Sequence, residues 1–167
     1  HVRRIRPHVV VTYAPDGLYG HPDHIALSQF TAAALIAAAD GAFKVPDGTP
    51  AFATPKFYYL VDTKSQTQLL KELIGGIGMQ VDGVSREHVG WNDWAISARI
   101  DCRAVFDTVW QAILCHKTQL AGFGPMVDLP KDTLLKLFGE GTFVRVYSRV
   151  NGGPALEHDL FEGLRAQ

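Results

Sequence analysis

Residues 8–24 constrain the fold more than any other part of the chain. Residues 8–13, His-Val-Val-Val-Thr-Tyr, form a short run rich in β-branched side chains, and Ala-Pro-Asp-Gly follows at 14–17. This pattern is typical of a fully buried strand that ends in a turn. A long helix is predicted from Pro22 to about Asp40, because proline suits the first turn of a helix. A strand, a loop and a helix in this order open an α/β unit.

The rest of the chain is predicted to alternate between the two kinds of element. Strands are expected at 56–61, 96–100 and 142–147, and helices at 65–74, 103–120, 131–138 and after Gly153. This alternation indicates one α/β domain spanning residues 1–167, Rossmann-like, with a mainly parallel sheet and helices on both faces. Ligand sites of such folds lie beyond the carboxyl ends of the strands, which is where the loop before Pro22 falls.

Composition narrows the class of partner. The 167 residues carry 16 basic and 17 acidic side chains, for a net charge of -1, so no basic field would attract nucleic acid or an anionic membrane. The apolar stretch 25–39 is interrupted by Ser, Gln and Thr, so it is predicted to be a buried helix and not a membrane span. Cys102 and Cys115 lack any CxxC spacing, which favours a reducing, cytoplasmic location. A small-molecule substrate fits these properties.

The loop ends in a His-x-x-His pair formed by His21 and His24, with Asp23 between them. Two residues three apart at the start of a helix lie on the same side, so both imidazoles can address one pocket. The positive end of the helix dipole favours neutral imidazole, the form that binds zinc or accepts a proton. Seven histidines make a chance pair plausible, but the position after a strand and a glycine-containing turn favours a functional one.

The stretch from Pro15 to His24, Pro-Asp-Gly-Leu-Tyr-Gly-His-Pro-Asp-His, resembles the second signature of the PIG-L/LmbE-like deacetylases. Further likeness lies in the expected strand at 56–59, in the helix at 112–119 with its His-Lys-Thr-Gln end, and in the closing strand at 140–146. The resemblance therefore covers most of the chain. Enzymes of this family are zinc-dependent hydrolases that remove acetyl groups from N-acetylated amino sugars and related amides.

The resemblance implies a role for each residue of the loop. His24 matches a zinc ligand, zinc or another divalent metal being the implied cofactor. His21, oriented by Asp23, would stabilise the oxyanion or protonate the leaving amine, a role that suits an imidazole at neutral pH. Tyr19 would add a phenolic donor to the oxyanion, although a packed loop aromatic is an equally good interpretation. The implied chemistry is metal-assisted amide hydrolysis.

One part of the family pattern is absent. The first signature, of the Ala-His-Pro-Asp-Asp type, supplies two zinc ligands and a general-base aspartate in the family, and none of the 167 residues matches it. Catalytic zinc usually takes three protein ligands plus water. The chain also opens with His1 instead of Met, so we expect a carboxyl-terminal portion that is active only with an associated amino-terminal piece, or a homo-oligomer.

Two alternatives to the hydrolase interpretation stay open at this point. The first is a non-catalytic or partner-dependent α/β domain that keeps the fold without binding metal. The second is a metal-free hydrolase built on a His21–Asp23 pair, which ranks lowest because no Ser or Cys stands in a recognisable nucleophile elbow.

Four other residues have two interpretations each. Asp16 is a candidate for substrate binding, but most simply makes a turn before Gly17. His116 is a second candidate for substrate binding, although a histidine near a helix carboxyl end more often caps carbonyls. Trp91 and Trp94 lie in the unassigned region 77–93 and at its border, where two aromatics anchoring a loop in the core are favoured over stacking on a sugar.

Overall fold

The computed structural model describes residues 1–165, and its main feature is a four-stranded mixed sheet with the strand order β1-β2-β6-β5. The strands are β1 (Val9–Tyr13), β2 (Lys56–Val61), β3 (Gly78–Val81), β4 (Val84–Glu87), β5 (Ala98–Asp101) and β6 (Glu140–Ser148). β3 and β4 form a separate two-stranded hairpin in the region that the sequence left unassigned. An α/β fold is therefore confirmed in its coarse form.

The prediction of a mainly parallel sheet is wrong. β1 and β2 are parallel, whereas β6 runs antiparallel to both β2 and β5. The alternation of Phe143, Arg145 and Tyr147 with Val144 and Val146 in β6 is the pattern of an antiparallel strand, and the order of helices and strands does not reveal strand direction. The finer prediction of a Rossmann-like topology is not confirmed.

β1 is the terminal strand of the described sheet and pairs only with β2. The prediction of a fully buried first strand is therefore wrong: Val11 in its middle is 42% exposed. An edge strand presents unpaired backbone N–H and C=O groups, which makes β1 a place where further chain can pair.

The helices predicted at 22–40, 65–74 and 131–138 are confirmed, whereas those predicted at 103–120 and after Gly153 are not. The observed helices are α1 (Val2–Ile5), α2 (Gly17–Gly20), α3 (Pro22–Ala39), α4 (Lys64–Ile74), α5 (Phe106–Leu114) and α6 (Lys131–Phe138). The single helix predicted over 103–120 is wrong, because α5 ends at Leu114 and a 3-10 segment covers Leu120–Asp128. Gly124, with φ +52°, and Pro125 lie in that segment and prevent continuous helix. No helix follows Gly153 within the described residues.

Both ends of α3 are fixed by side chains. His21 is the N-cap and Pro22 occupies the first turn, as predicted from the sequence. At the other end the buried Arg3 guanidinium donates to the carbonyls of Ala37, Ala38 and Asp40. Because the last carbonyls of a helix have no partner within it, this arginine satisfies groups that would otherwise be buried unpaired.

α4 begins directly after β2 through a capping box. The Thr63 hydroxyl accepts from the Gln66 N–H at 3.2 Å, and the Gln66 side chain accepts from the Thr63 N–H at 2.7 Å. This reciprocal pair fixes where β2 ends and α4 begins. The carboxyl ends of the parallel strands β1 and β2 therefore meet at one rigid edge of the sheet.

The apolar core has two parts. Leu70 of α4, Phe106 of α5, Leu134 and Leu137 of α6, and Met126 form the larger cluster. Ala14, Val61 and Ile96 form a smaller one at the end of β1 and β2. The smaller cluster lies under the loop that follows β1, so it supports the candidate site.

No helix of residues 1–165 is both long and apolar enough to cross a lipid bilayer.

A buried polar group fastens the carboxyl-terminal tail to the sheet. Glu157 forms an ion pair with Lys56 at 2.7 Å and with Arg145 at 3.1 Å, and accepts from the Tyr58 hydroxyl at 2.5 Å. Asn151 donates to the same carboxylate at 2.6 Å. Such a network is tolerable in a protein interior because its charges are paired and hydrogen-bonded.

Candidate metal and proton-transfer site

The site lies in residues 14–24, between the carboxyl end of β1 and the start of α3, where the sequence predicts it. α2 is one irregular turn of this loop, and Leu18 at its centre has φ 64° and ψ -80°. Positive φ is unusual for a leucine, and such backbone strain typically costs about 1–3 kcal/mol. Gly17 has φ +65°, and a Cβ there would lie 2.7 Å from Ile25 Cγ1, so any other residue would strain the backbone and require Ile25 to move.

His24 is held in the orientation of a metal ligand. Its Nδ1 lies 3.2 Å from the Gly17 carbonyl oxygen. Because a carbonyl only accepts, Nδ1 carries the proton, and the lone pair of a neutral ring is on Nε2. A histidine whose second nitrogen donates to a backbone carbonyl is the usual arrangement at metal centres. The ring stacks on Tyr13 with the centroids 3.8 Å apart.

The electrostatic surroundings keep His24 neutral. Burial lowers the pKa of this imidazole below its ordinary value, and this effect outweighs the hydrogen bond to Gly17 that acts in the opposite direction. Only a neutral imidazole has the lone pair that binds a cation. His24 therefore fits one position of a zinc site.

His21 carries its proton on the opposite nitrogen. The backbone N–H of Asp23 donates to His21 Nδ1 at 3.1 Å, so Nδ1 is unprotonated and a neutral ring holds its proton on Nε2. The two rings are stacked with centroids 4.6 Å apart. One imidazole thus offers a lone pair through Nε2, while its neighbour offers an N–H through the same ring position.

Asp23 contributes differently from the expectation. Its backbone N–H, and not its carboxylate, orients His21. The carboxylate is exposed and makes no hydrogen bond to His21 within the described chain. Asp23 thus contacts His21 through its main chain, because an N-cap position places the imidazole over the N–H groups of the first helical turn.

Tyr19 lies against both imidazoles. Its ring packs edge-on to His21 and His24, at centroid distances of 5.9 Å and 5.6 Å. Burial raises the pKa of the phenol, which therefore stays protonated and able to donate at neutral pH. The structure brings together three of the predicted residues, Tyr19, His21 and His24.

Tyr19 and His21 open onto a cavity of about 470 Å³. Its other walls come from the end of α4, from β3 and from the 3-10 segment after α5, and include Ile74, Ile77, Met79, Phe123 and Met126. A largely apolar pocket with a few convergent polar groups is the usual form of a small-molecule site.

Both carboxylate oxygens of Asp16 accept hydrogen bonds from within the protein. One carboxylate oxygen accepts from the Leu18 N–H at 3.1 Å, and the other accepts from the Trp91 indole N–H at 2.8 Å. The structure therefore favours the turn-forming interpretation over substrate binding.

His116 follows the end of α5 and is exposed. Its Nδ1 lies 3.0 Å from the carbonyl oxygen of Ala112 and 3.3 Å from that of Ile113. Capping of the last turn of the helix, the alternative to substrate binding, is the arrangement in the structure. His116 is also absent from the walls of the cavity beside His21.

The hydrogen bond between Trp91 and Asp16 is the contact of the site that sequence reasoning missed. Trp91 lies 75 positions after Asp16 in a stretch without hydrophobic periodicity, so no local pattern indicates the contact. Trp91 is half-buried, as expected for an anchor, whereas Trp94 is 85% exposed and the expectation of two core aromatics is wrong for it.

The described residues do not form a complete metal site. No group of three or more His, Cys, Asp or Glu side chains within residues 1–165 is arranged to hold an ion. Since catalytic zinc takes three protein ligands, His24 needs ligands from elsewhere.

Comparison with known proteins adds independent information. No protein-family model matches the chain. The chain is 32% identical over 180 residues to a protein of Rhodococcus erythropolis strain PR4, covering 99% of the chain and 57% of that protein. It is 36% identical over 171 residues to one of Rhodococcus jostii strain RHA1, covering 98% and 57%. A protein of Mycolicibacterium smegmatis is 32% identical, with 98% and 56% covered.

All three relatives are named 1D-myo-inositol 2-acetamido-2-deoxy-alpha-D-glucopyranoside deacetylase. The chain spans a little more than half of their length. Nearly the whole of this chain is thus related in sequence to one part of these deacetylases.

Proposed function

We propose that this chain supplies the histidine half of a zinc-dependent N-deacetylase active site, which acts on an N-acetylated amino sugar or a related amide. The observation that carries the proposal is the pair of stacked imidazoles with opposite protonated nitrogens, His24 with a free Nε2 lone pair and His21 with an Nε2 proton. The names of the relatives support the same reaction.

Zinc, when bound, activates water and polarises the acyl carbonyl. His24 would hold the cation through Nε2, because its Nδ1–H is committed to Gly17. His21 is a neutral ring whose Nδ1 accepts from Asp23 N–H, so its Nε2–H would stabilise the oxyanion by a hydrogen bond and not by giving up the proton. Tyr19 supplies a second donor to the oxyanion, since its phenol remains protonated at neutral pH. The cavity beside Tyr19 and His21 would receive the substrate.

The remaining zinc ligands come, in this proposal, from additional polypeptide that packs beside β1 and α3. Two observations support this position. The outer edge of β1 is free in the described sheet, and the solvent side of α3 carries Phe30 at 71% and Ile36 at 73% exposure. A helix that is apolar on its solvent side is normally covered. The relatives have the necessary extra length.

A second copy of the chain is the competing occupant of that face. Light scattering on the natural protein distinguishes the two cases, because self-association doubles the mass and added polypeptide within the same molecule does not. The cytoplasmic location and the single-domain boundaries stay predictions.

The two alternatives have less support. The non-catalytic domain is disfavoured by relatives that are named deacetylases. The metal-free hydrolase loses its basis, because the Asp23 carboxylate makes no contact that would activate His21.

Metal content and acetate release from an N-acetylglucosaminyl inositol test the proposal in the purified natural protein. His24→Gln is expected to lose both bound zinc and activity. His158→Gln is the matched control, because His158 is exposed in the tail. Zinc content and acetate release that survive His24→Gln would rule the proposal out.

A further inference from the structure

The indole of Trp91 reaches across 75 residues of sequence to the loop of the candidate site, where its N–H donates to Asp16 Oδ2 at 2.8 Å. We infer that Trp91 is a positioning residue, which holds through Asp16 the loop whose Gly17 carbonyl orients the His24 ring. This inference rests on the proposed function only where it gives the histidines a catalytic role. The contacts from which it is argued are present without metal or substrate.

Two backbone hydrogen bonds hold Trp91 next to the end of β2. Its backbone N–H donates to the Asp62 carbonyl at 2.8 Å, and its own carbonyl accepts from Lys64 N–H at 2.9 Å. These bonds make a parallel bridge with Thr63, the residue that caps α4. A Cβ at Gly90 would lie 2.7 Å from the Thr63 carbonyl oxygen, so this close approach requires glycine before Trp91. The backbone of Trp91 is therefore held at the junction between β2 and α4.

The Asp16 carboxylate connects the Trp91 indole to the strained turn at Leu18. Its second oxygen accepts from the N–H of Leu18, the residue with φ 64° and ψ -80°. The Asp16 backbone carbonyl accepts from Gly20 N–H at 3.1 Å. A left-handed leucine persists only where its surroundings determine it, and Asp16 provides two of those contacts. Without the indole, one oxygen of Asp16 would be free to rotate away from the turn.

This turn fixes the position of the Gly17 carbonyl oxygen, which accepts hydrogen bonds from both histidines. That oxygen accepts from His24 Nδ1–H at 3.2 Å and from the backbone N–H of His21 at 3.4 Å. The first contact selects the His24 protonation that leaves Nε2 free, and the second helps to set the start of α3. Trp91, Asp16 and Gly17 thus form one continuous chain of contacts that ends on the His24 imidazole and on the backbone N–H of His21.

Trp91→Phe tests the inference, since it keeps an aromatic ring and removes the indole donor. Trp94→Phe is the matched control, because Trp94 is 85% exposed and its indole makes no hydrogen bond in the described part of the chain. Histidine side-chain ¹⁵N spectra of the metal-free natural protein report which ring nitrogen is protonated. The wild type and Trp94→Phe are expected to show His24 protonated at Nδ1 alone, whereas Trp91→Phe is expected to show both forms.

Amide exchange gives a second reading of the same variants. Leu18 N–H is expected to exchange about tenfold faster in Trp91→Phe, the factor that corresponds to weakening a hydrogen bond of ordinary strength. Asp16→Asn keeps one oxygen acceptor, so it should shift the indole N–H resonance of Trp91 but not that of Trp94. If Trp91→Phe is too unstable to study, Asp16→Asn carries the test by itself.

Unchanged His24 protonation and unchanged Leu18 exchange in a folded Trp91→Phe protein would overturn the inference, as would an unmoved Trp91 indole resonance in Asp16→Asn. These measurements use no zinc and no substrate. Their failure therefore leaves the proposed deacetylase activity untouched, and failure of zinc binding in the natural protein leaves this inference untouched.

Discussion

His21 and His24 are stacked with their ring centroids 4.6 Å apart, and each ring commits its Nδ1 to the backbone, one as a donor and the other as an acceptor. His24 Nδ1 donates to Gly17, whereas His21 Nδ1 accepts from Asp23. The backbone contacts therefore give two identical side chains opposite protonation. In the proposed function, the free Nε2 lone pair of His24 would bind a cation and the Nε2–H of His21 would donate a hydrogen bond to the oxyanion.

Tyr19→Phe is expected to lower kcat about 10²- to 10³-fold in the natural protein, with a smaller effect on KM. The range is that for removing one donor to an oxyanion. Steady-state acetate release measures both constants. Tyr147→Phe is the control, because that half-buried tyrosine lies in β6. A Tyr19→Phe protein with wild-type kcat would assign Tyr19 to loop packing only.

Gly17→Ala is expected to destabilise the protein by about 1–3 kcal/mol, through strain at positive φ together with the contact to Ile25. Gly48→Ala separates the two causes, because Gly48 has φ +67° and open space around its Cβ position. Urea denaturation of both variants measures the difference. Equal losses of stability would show that the Ile25 contact contributes nothing.

Much of the loop was predictable because its signals are local. Proline at the first helical turn, the histidine cap and the glycine turn are neighbours in sequence, and each limits the backbone by itself. The hydrogen bond between Asp16 and Trp91 was not predictable, because it joins residues 75 positions apart. The atom through which Asp23 contacts His21 was not predictable for a different reason: residue identity does not reveal whether a backbone or a side-chain group makes a contact.

In the sheet, too, local features were predictable and features that depend on distant residues were not. β2 was predicted with its observed bounds from its apolar and aromatic run. Strand direction and edge position depend on which strands meet, so neither the antiparallel β6 nor the exposed Val11 of β1 followed from local pattern.

Glu157→Gln is expected to cost about 3–5 kcal/mol, because it leaves the buried Lys56 ammonium without its carboxylate partner. Glu87→Gln is the control: Glu87 and Lys71 form an exposed pair at 3.6 Å, and such pairs contribute about 0–1 kcal/mol. Chemical denaturation of the two variants should therefore give clearly different losses. Similar small losses would contradict the assigned role of the buried network.

The same network predicts a pH dependence. Burial alone raises the pKa of Glu157, but the hydrogen bonds from Lys56, Tyr58 and Asn151 outweigh it and lower the pKa overall. A carboxyl with a lowered pKa in the folded state stabilises the protein above its unfolded pKa of about 4.3, and loses this contribution as the pH falls through the folded value. The stability difference between wild type and Glu157→Gln should therefore shrink below about pH 4. A difference that is constant from about pH 3 to pH 7 would argue against this.

Zinc addition to the ¹⁵N-labelled natural protein, followed through the histidine side-chain resonances, distinguishes the roles proposed for His21 and His24. Nε2 of His24 is expected to shift on zinc binding while its Nδ1 keeps the proton donated to Gly17, and His21 is expected to retain an Nε2 proton. Loss of the His24 Nδ1 proton, or a zinc-loaded protein in which the His24 resonances do not move, would show that His24 does not bind zinc through Nε2.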